Sequence, residues 1–273
     1  MNGGEFFSRS EALLGQEAMA RLKAAHVLVV GVGGVGSWCA EALVRTGVGH
    51  MTLVDDDRVV ESNVNRQCPA TSLTLGRPKV EAMAERLGAI NPQADVRTRV
   101  ERFEGVESFE GFDVVVDAID SVDCKAELIL SATEAGVPIV SSMGAALRLD
   151  PTKVTVSRFE KVEGDGLARA LRQRFKKLQR FPTAKFSCVW STEQLQNPIV
   201  GAFPRNAPQA ERRHSLLSAH FEEMRPHEGD VLQLVLSTET QRHGEKGSLM
   251  PVTATFGMCL ASEAIRILTK GEQ

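Results

Sequence analysis

Four glycines stand where a nucleotide phosphate could be bound. Gly31, Gly33, Gly34 and Gly36 form the pattern G-x-G-G-x-G between an apolar segment and the start of an amphipathic one. Because these residues have no side chains, their backbone N–H groups can approach a phosphate at the N-terminus of the following helix. The pattern alone also fits a tight packing turn between a strand and a helix, so the surrounding residues must decide between the two interpretations.

Asp55 strengthens the nucleotide interpretation. It closes the next apolar segment, about 20 residues after the glycine loop, and a carboxylate at this place accepts hydrogen bonds from ribose hydroxyls. Its neighbours Asp56 and Asp57 fit a solvated turn equally well. The loop and Asp55 together predict a nucleotide site, but they do not distinguish NAD from ATP.

Three later segments favour ATP over NAD. A nucleotidyl transfer needs Arg and Lys to neutralise a triphosphate and an Asp to hold magnesium, whereas a hydride transfer has no use for cations gathered at the phosphates. Taken singly, Arg66 also fits a surface ion pair, Lys79 a cation at a helix start, and Asp120 a helix N-cap. Together they predict ATP and Mg²⁺ as ligands. The segments are Asn63-Val64-Asn65-Arg66-Gln67, Gly76-Arg77-Pro78-Lys79 and Val116-Asp117-Ala118-Ile119-Asp120-Ser121.

Strands and helices alternate in the part of the chain that positions these residues. This alternation over the first 145 residues predicts right-handed crossovers and a doubly wound α/β fold, with a mostly parallel sheet covered by helices on both faces. Residues 1–150 are therefore expected to form a Rossmann-like nucleotide-binding part. The predicted strands are Val27–Val30, His50–Val54, Asp113–Val116 and Pro138–Ser141, and the predicted helices are 10–24, 37–46, 79–90 and 122–135.

The pattern changes after residue 150. Residues 151–273 are expected to form an antiparallel and helical extension of the same domain, which binds substrate and makes dimer contacts. Residues 196–230 hold several prolines and many polar residues, which predicts an irregular or mobile insertion. The remaining predicted elements are an edge strand at 153–159, a basic helix at 166–180, a strand at 186–191 and an amphipathic helix at 254–269.

The composition excludes several classes of protein. With 42% hydrophobic and 25% charged residues the chain is neither disordered nor a coiled coil, and a net charge of −3 requires any nucleic-acid site to be a local patch. The five cysteines form no C-x-x-C pair, which argues against zinc and disulfide frameworks and favours a reducing compartment. The N-terminus has no leader-like apolar run. We therefore expect a cytoplasmic protein without membrane insertion, or an organellar one in a eukaryotic host.

A local excess of positive charge lies between Arg158 and Lys185. This stretch holds nine cations against three acids, and Leu171 and Phe175 would turn one helix face inward and leave the cations outward. A solvated face is the ordinary explanation, and contact with a nucleic-acid phosphate backbone is the other. The candidate phosphate-binding residues are Arg169, Arg172, Arg174, Lys176 and Lys177.

The cysteines admit two interpretations. Cys188 lies in an apolar strand and fits a small core residue. A sulfur relay through Cys188 or Cys124 would need an exposed thiol with a lowered pKa, which a sequence does not reveal.

Taken together, these motifs resemble the ThiF/MoeB family, which has the fold of ubiquitin-activating enzymes and adenylates carboxylates. The resemblance implies a homodimer in which Arg9 reaches the triphosphate of the second copy. It also implies a catalytic role for Arg66, Lys79 and Asp120, with Asp120 holding Mg²⁺. The implied ATP-binding residues are Gly31, Gly33, Gly34, Gly36, Asp55, Asn63, Gln67 and Asp117.

Longer phrases resemble one subgroup of that family, which dehydrates threonylcarbamoyladenosine in tRNA. They include VGVGGVGSW at 30–38, DAIDSV at 117–122 and CVWSTE at 188–193, and they cover most of the chain outside 196–250. The resemblance implies ATP-dependent cyclisation of the modified adenosine next to the anticodon, through an acyl-adenylate, with tRNA and a sulfur-transfer protein as partners. Three alternatives stay open: activation of the C-terminus of a ubiquitin-like protein, an NAD-dependent oxidoreductase, and a binding module without catalysis.

Overall fold

A computed structural model describes residues 6–105, 108–193 and 247–270. The strands are β1 (His26–Val30), β2 (His50–Val54), β3 (Asp95–Arg99), β4 (Val114–Asp117), β5 (Ile139–Ser142), β6 (Val154–Arg158) and β7 (Ser187–Ser191). The helices are α1 (Ser8–Leu14), α2 (Gln16–Ala24), α3 (Gly36–Thr46), α4 (Lys79–Ile90), α5 (Val122–Glu134), α6 (Gly166–Leu178) and α7 (Met250–Thr269). The predicted insertion at 196–230 lies outside these residues.

The seven strands form one sheet in the order β3-β2-β1-β4-β5-β7-β6. All neighbouring pairs are parallel except β6 and β7, so the prediction of a doubly wound, mostly parallel sheet is confirmed. The chain moves outward from β1 through β2 and β3 on one side, then continues from β4 on the other. This reversal leaves a crevice at the carboxyl ends of β1 and β4, where α/β folds bind ligands.

Two apolar layers cover the sheet. On one face, Leu43 of α3 and Phe256 of α7 pack on β1 and β4 with residues of α2 and α4; on the other, α5 and α6 bury Leu128 and Phe175. Helix α7 is long and apolar enough to cross a membrane by length and composition alone. Its buried residues, which include Phe256, belong to the core cluster that also holds Leu43, so it is accounted for as a core helix.

Two local predictions differ from the structure. The single helix predicted at 10–24 is wrong, because Gly15 adopts a φ of +82° and separates α1 from α2. Strand β3 was not predicted, because its sequence DVRTR lacks the apolar character of the other strands. It pairs with β2 only, at the edge of the sheet, where polar side chains face solvent.

The two ends of the glycine loop approach each other too closely for a side chain. A Cβ at Gly36 would lie 1.8 Å from the Gly31 carbonyl oxygen, whereas a Cβ at Gly33 would meet nothing nearer than Gln67 Nε2 at 3.9 Å.

We expect Gly36→Ala to lower the free energy of unfolding by about 3 kcal/mol or more, and Gly33→Ala to lower it by less than about 1 kcal/mol. Urea unfolding followed by circular dichroism measures both; equal losses would contradict this assignment.

Candidate active site

The four glycines of the loop divide into two pairs. Gly31 and Gly36 serve packing: Gly31 has a φ of +91°, and a Cβ there would lie 2.7 Å from the carbonyl oxygen of Ala118, at the end of β4. Gly33 and Gly34 have ordinary or slightly tight surroundings, with the Arg66 Cγ at 3.3 Å from a Cβ built on Gly34. A packing turn therefore explains the outer pair. The inner pair, Gly33 and Gly34, lies beside the Arg66 and Gln67 side chains. A phosphate could approach the backbone N–H groups of these two glycines.

Asp55 is tied to this loop. One carboxylate oxygen accepts a hydrogen bond from the Val32 backbone N–H at 2.6 Å, and the other accepts one from the Asp57 N–H at 2.9 Å. Burial raises the pKa of Asp55 above its ordinary value, although the Lys79 cation and these two N–H groups act in the opposite direction. Asp55 follows the end of β2, as the sequence predicted, and its carboxylate also contacts the glycine loop, which the sequence did not predict.

Lys79 is the first residue of α4 and is only 5% exposed. Its ammonium group donates to the Asp57 carboxylate at 2.6 Å, and its backbone N–H donates to the Asp57 carbonyl at 3.0 Å. Lys79 is thus a cation at a helix start, as the ordinary interpretation has it, but its ammonium group is buried against Asp57 rather than solvated. Because Asp57 keeps a 65% exposed side chain, an incoming phosphate could replace it as the partner of Lys79.

Arg66 and Gln67 lie against the inner glycines. The Arg66 Nη1 donates to the Ser62 carbonyl at 2.7 Å and to the Asn65 side-chain oxygen at 2.9 Å. The Gln67 side chain is buried, and its Oε1 has no hydrogen-bond partner in the described part of the chain. A buried oxygen without a donor is costly, so a ligand that supplies one would be stabilised here. A ribose hydroxyl or the adenine amino group of a nucleotide could supply this donor, whereas a phosphate could not.

Helix α3 holds the segment that carries Arg66 and Gln67. The Ser37 hydroxyl accepts from the Cys68 N–H at 3.1 Å and donates to the Gly33 carbonyl at 2.6 Å. The Trp38 indole N–H donates to the Arg66 carbonyl at 3.0 Å. These α3 residues were not predicted from the sequence; a Trp among the small residues that begin the helix is the signal that could have indicated one of them.

Glu41 and Asn63 complete the support of this segment. The buried Glu41 carboxylate accepts from the Cys68 thiol at 2.8 Å and from Arg86 Nε of α4 at 2.6 Å. The buried Asn63 side-chain oxygen accepts from the Val60 N–H at 3.2 Å and so closes the turn before Arg66. Asn63 therefore has a structural contact in addition to any contact with a nucleotide.

Asp117 and Lys125 form a fully buried ion pair at the end of β4. The Lys125 ammonium lies 2.8 Å from the Asp117 carboxylate, and both side chains are 0% exposed. Asp117 also accepts from the Ser141 hydroxyl at 2.6 Å and from the Ile119 N–H at 3.1 Å, while Lys125 donates to the Ile119 carbonyl at 2.9 Å. The pair therefore fixes the turn that leads to Asp120. Lys125 was not predicted, because a lysine within an amphipathic helix normally faces water.

Asp120 and Arg9 are exposed. The N-cap of α5 is Ser121, so the alternative of Asp120 as the helix cap does not hold. The Asp120 carboxylate follows directly after the fixed turn and is accessible to a ligand. Arg9 lies exposed on α1, and it takes part in none of the contacts described above.

The basic helix α6 differs from its prediction at two positions. Arg172 does not face outward: its Nη2 donates to the Phe159 and Val162 carbonyls at 2.9 and 2.7 Å, and its guanidinium lies 4.9 Å from the centre of the Phe159 ring. Arg174 is half-buried and pairs with Asp123 at 2.9 Å. Arg169, Lys176 and Lys177 are exposed, as predicted.

The two candidate cysteines have different surroundings. Cys188 is fully buried in β7, and burial raises the pKa of its thiol, so it does not provide a thiolate at neutral pH. Cys124 is half-buried in α5. These positions support the interpretation of Cys188 as a core residue.

Comparison with known proteins identifies the family of the chain. The model of the ThiF family matches residues 7–273, which is nearly the whole chain. The chain belongs to the ThiF family. In this ThiF-family chain, the residues predicted to hold the nucleotide lie in the connections that follow β1, β2 and β4, at the carboxyl edge of the sheet. Arg9, on α1, is the exception.

Two relatives of this ThiF-family chain carry the same name. The tRNA threonylcarbamoyladenosine dehydratase of Bacillus subtilis is 42% identical over 176 residues, covering 63% of this chain and 69% of the relative. The enzyme of that name from Escherichia coli is 42% identical over 204 residues, covering 70% and 75%. The crystal structure of the Escherichia coli dehydratase TcdA in complex with ATP superposes with a TM-score of 0.75 and 32% identity, over 97% of this chain and 93% of that one.

The Glu41 carboxylate gives this region a pH dependence. Burial alone would raise the pKa of Glu41, but hydrogen bonds from Arg86, Cys68 and Arg45 outweigh burial and lower the pKa from 4.5 to about 2. A lowered pKa contributes stability that is complete above the ordinary pKa and is lost as the pH falls toward the folded value. We expect Glu41→Gln to lower the free energy of unfolding at pH 7 by about 3 kcal/mol, and by much less at pH 2.

The measurement is urea unfolding of both proteins between pH 2 and pH 7. Glu17→Gln is the matched control. The Glu17 side chain is 89% exposed and pairs with Arg21, so its substitution should change the free energy of unfolding little. A Glu41→Gln deficit that does not change with pH would show that the carboxylate is not held in its charged form.

Proposed function

We propose that this chain is an ATP-dependent enzyme that dehydrates threonylcarbamoyladenosine in tRNA, next to the anticodon. The observation that carries the proposal is the open pair Gly33 and Gly34, beside which lie the Arg66 Cγ and the Gln67 Nε2. The names of the relatives supply the substrate, and the ATP complex of the similar structure supports the nucleotide. Hydride transfer by an NAD-dependent oxidoreductase would not require cations such as Arg66 and Lys79 at the phosphates.

The reaction activates a carboxylate and then closes a ring. The threonyl carboxylate is a poor electrophile, because its leaving group would be oxide. Its oxygen attacks the α-phosphorus of ATP, pyrophosphate leaves, and an acyl-adenylate forms. A carbamoyl atom of the same substrate then attacks the acyl carbon and releases AMP. Because this second attack is intramolecular, the protein mainly has to position groups and neutralise charge.

The residues of the site take distinct roles in this proposal. Asp55 accepts from the ribose, Arg66 and Lys79 neutralise the phosphates, and Gln67 gains a donor for its orphaned oxygen. Asn63 and Asp117 support the site through the turns that they close. Asp120 would hold Mg²⁺, which offsets phosphate charge when bound; an exposed carboxylate at a fixed turn is a suitable oxygen ligand for that ion.

We also propose that the enzyme works as a homodimer in the cytoplasm. Arg9 is exposed on α1, a helix without any buried residue, on which Leu13 is 84% exposed. Such a helix is suited to cover a second copy and to carry Arg9 to its triphosphate. The sulfur-transfer partner implied by the resemblance gains no support from Cys188, which is buried.

Activation of the C-terminus of a ubiquitin-like protein is the alternative function, since the same ATP site would serve it. Relatives that act on such carriers usually hold a zinc ion with two C-x-x-C pairs, and this sequence has none. Preference of the protein for a carrier over tRNA would favour this alternative.

Mass analysis of nucleosides tests the proposed function directly. Incubation of tRNA that contains threonylcarbamoyladenosine with the protein and ATP should remove one water from that nucleoside and release one AMP. Arg66→Ala, Lys79→Ala and Asp120→Ala should each abolish AMP formation, because each removes a charge used at the transition state, at a cost of about 3 to 4 kcal/mol.

Two neighbouring variants are matched controls for the AMP assay. Arg77 pairs with the exposed Glu85, and Asp123 pairs with Arg174, so Arg77→Ala and Asp123→Ala change charge beside the site without entering it. They should keep normal turnover. A folded Asp120→Ala variant with normal AMP release would refute the role of Asp120.

Contact between tRNA and α6 predicts a change in salt dependence. Replacing the exposed residues Arg169, Lys176 and Lys177 with Gln should weaken tRNA binding and reduce the log–log salt slope by about 2, at roughly 0.7 per lost contact. ATP affinity should stay unchanged. Replacing Lys23, Arg97 and Lys270 with Gln removes the same charge at exposed positions elsewhere and is the control. Equal slopes for the two triple variants would leave α6 as a solvated face.

A further inference from the structure

Arg148 is a buried cation that the site described above does not use. It lies in the loop after β5, and its side chain is only 3% exposed. Its Nε and Nη1 are buried and have no hydrogen-bond partner in the described part of the chain. A guanidinium group carries five N–H donors and stays charged, so burying it without acceptors is costly. Its donors therefore need an acceptor beyond those in the described contacts.

The nearest acid does not satisfy Arg148. The Asp165 carboxylate lies 3.9 Å from Arg148 Nη2, beyond hydrogen-bond distance. Its two oxygens already accept from the backbone: one from the Ala168 N–H at 2.9 Å, as the N-cap of α6, and one from the Gly144 N–H at 3.1 Å. Asp165 therefore balances the charge of Arg148 at a distance, and the buried Nε–H and Nη1–H groups have no acceptor among the described residues.

The loop is shaped to place Arg148 inside. Leu147 adopts a φ of +61°, a conformation that leucine rarely takes, and leaves its own side chain 42% exposed. On the other side of Arg148, the backbone N–H groups of Leu149 and Asp150 donate to the Glu193 carboxylate at 3.0 and 3.1 Å. Backbone strain that the surroundings hold in place is characteristic of functional positions.

The position of Arg148 indicates which anion it would bind. Asp55 follows β2, the glycine loop follows β1, Asp120 follows β4, and the loop of Arg148 follows β5; these four strands are neighbours in that order. Arg66 and Lys79, which would neutralise the leaving pyrophosphate, both lie in the connection that follows β2. Attack on the α-phosphorus is in line with the leaving group, so the attacking group would come from the opposite side, toward β4 and β5.

We propose that Arg148 binds the carboxylate that is to be adenylated, and this rests on the proposed function. A planar guanidinium pairs with a carboxylate through two parallel hydrogen bonds, which would orient one carboxylate oxygen toward the nucleotide. A phosphate of ATP is the other oxyanion that could reach this guanidinium. The substrate carboxylate and the ATP phosphate are both oxyanions, and the experiment below distinguishes between them.

The test compares two tRNAs in binding experiments with a non-hydrolysable ATP analogue. One carries threonylcarbamoyladenosine, and the other carries the same nucleoside with its carboxylate blocked as a methyl ester. We expect the native protein to prefer the free carboxylate by at least 10-fold, Arg148→Met to lose this preference, and Arg148→Lys to recover part of it. ATP affinity should change less than 2-fold in both variants.

Each other outcome would overturn the proposal. A preference that survives in a folded Arg148→Met variant would show that another group binds the carboxylate, and loss of ATP binding with the preference intact would assign Arg148 to a phosphate. If Arg148→Met fails to fold, Arg148→Lys decides: a preference as strong as that of the native protein, together with weakened ATP binding, contradicts the proposal. Failure of the proposed function itself would appear separately, as a native protein that does not dehydrate the modified tRNA.

Discussion

The backbone contact between Gly31 and Gly36 determines where the parts of the site lie. It allows α3 to begin directly over the end of β1, and the contact of Gly31 with the Ala118 carbonyl joins the same turn to the end of β4. From this start, Ser37 and Trp38 of α3 reach the segment of Arg66 and Gln67. The segment of Arg66 and Gln67, distant in sequence from the glycine loop, is thus positioned beside it.

Buried charge is concentrated at the same edge of the sheet. Lys79 pairs with Asp57, Asp117 pairs with Lys125, and Arg148 lies near Asp165. Buried ion pairs contribute little net stability, since the loss of hydration offsets their attraction, and removal of one partner is strongly destabilising. Their gathering here is better explained by function, because charges fixed before a ligand arrives need no reorganisation when it binds.

Sequence patterns predicted that the glycine loop, Asp55 and Asp117 lie at strand ends, and the structure has them there; the carboxyl ends of these parallel strands meet at one edge of the sheet. They did not predict Glu41 or Lys125, because a charged residue in an amphipathic helix looks the same whether it faces water or a buried partner. The prediction for Arg172 was wrong in the opposite sense. The helix pattern predicted an outward-facing side chain, whereas hydrogen bonds to two backbone carbonyls and contact with the Phe159 ring hold it inward. Such contacts depend on tertiary packing.

We propose that this edge of the sheet forms an ATP site rather than a dinucleotide site. Thermal unfolding of the native protein with increasing ATP and Mg²⁺, and in parallel with NADH, tests it most directly, since only a ligand of the folded state raises Tm. At about 100 times its Kd, ATP should stabilise the protein by about 2.7 kcal/mol, a rise of about 5 °C or more, and NADH should leave Tm unchanged. Stabilisation by NADH with no effect of ATP would contradict the account.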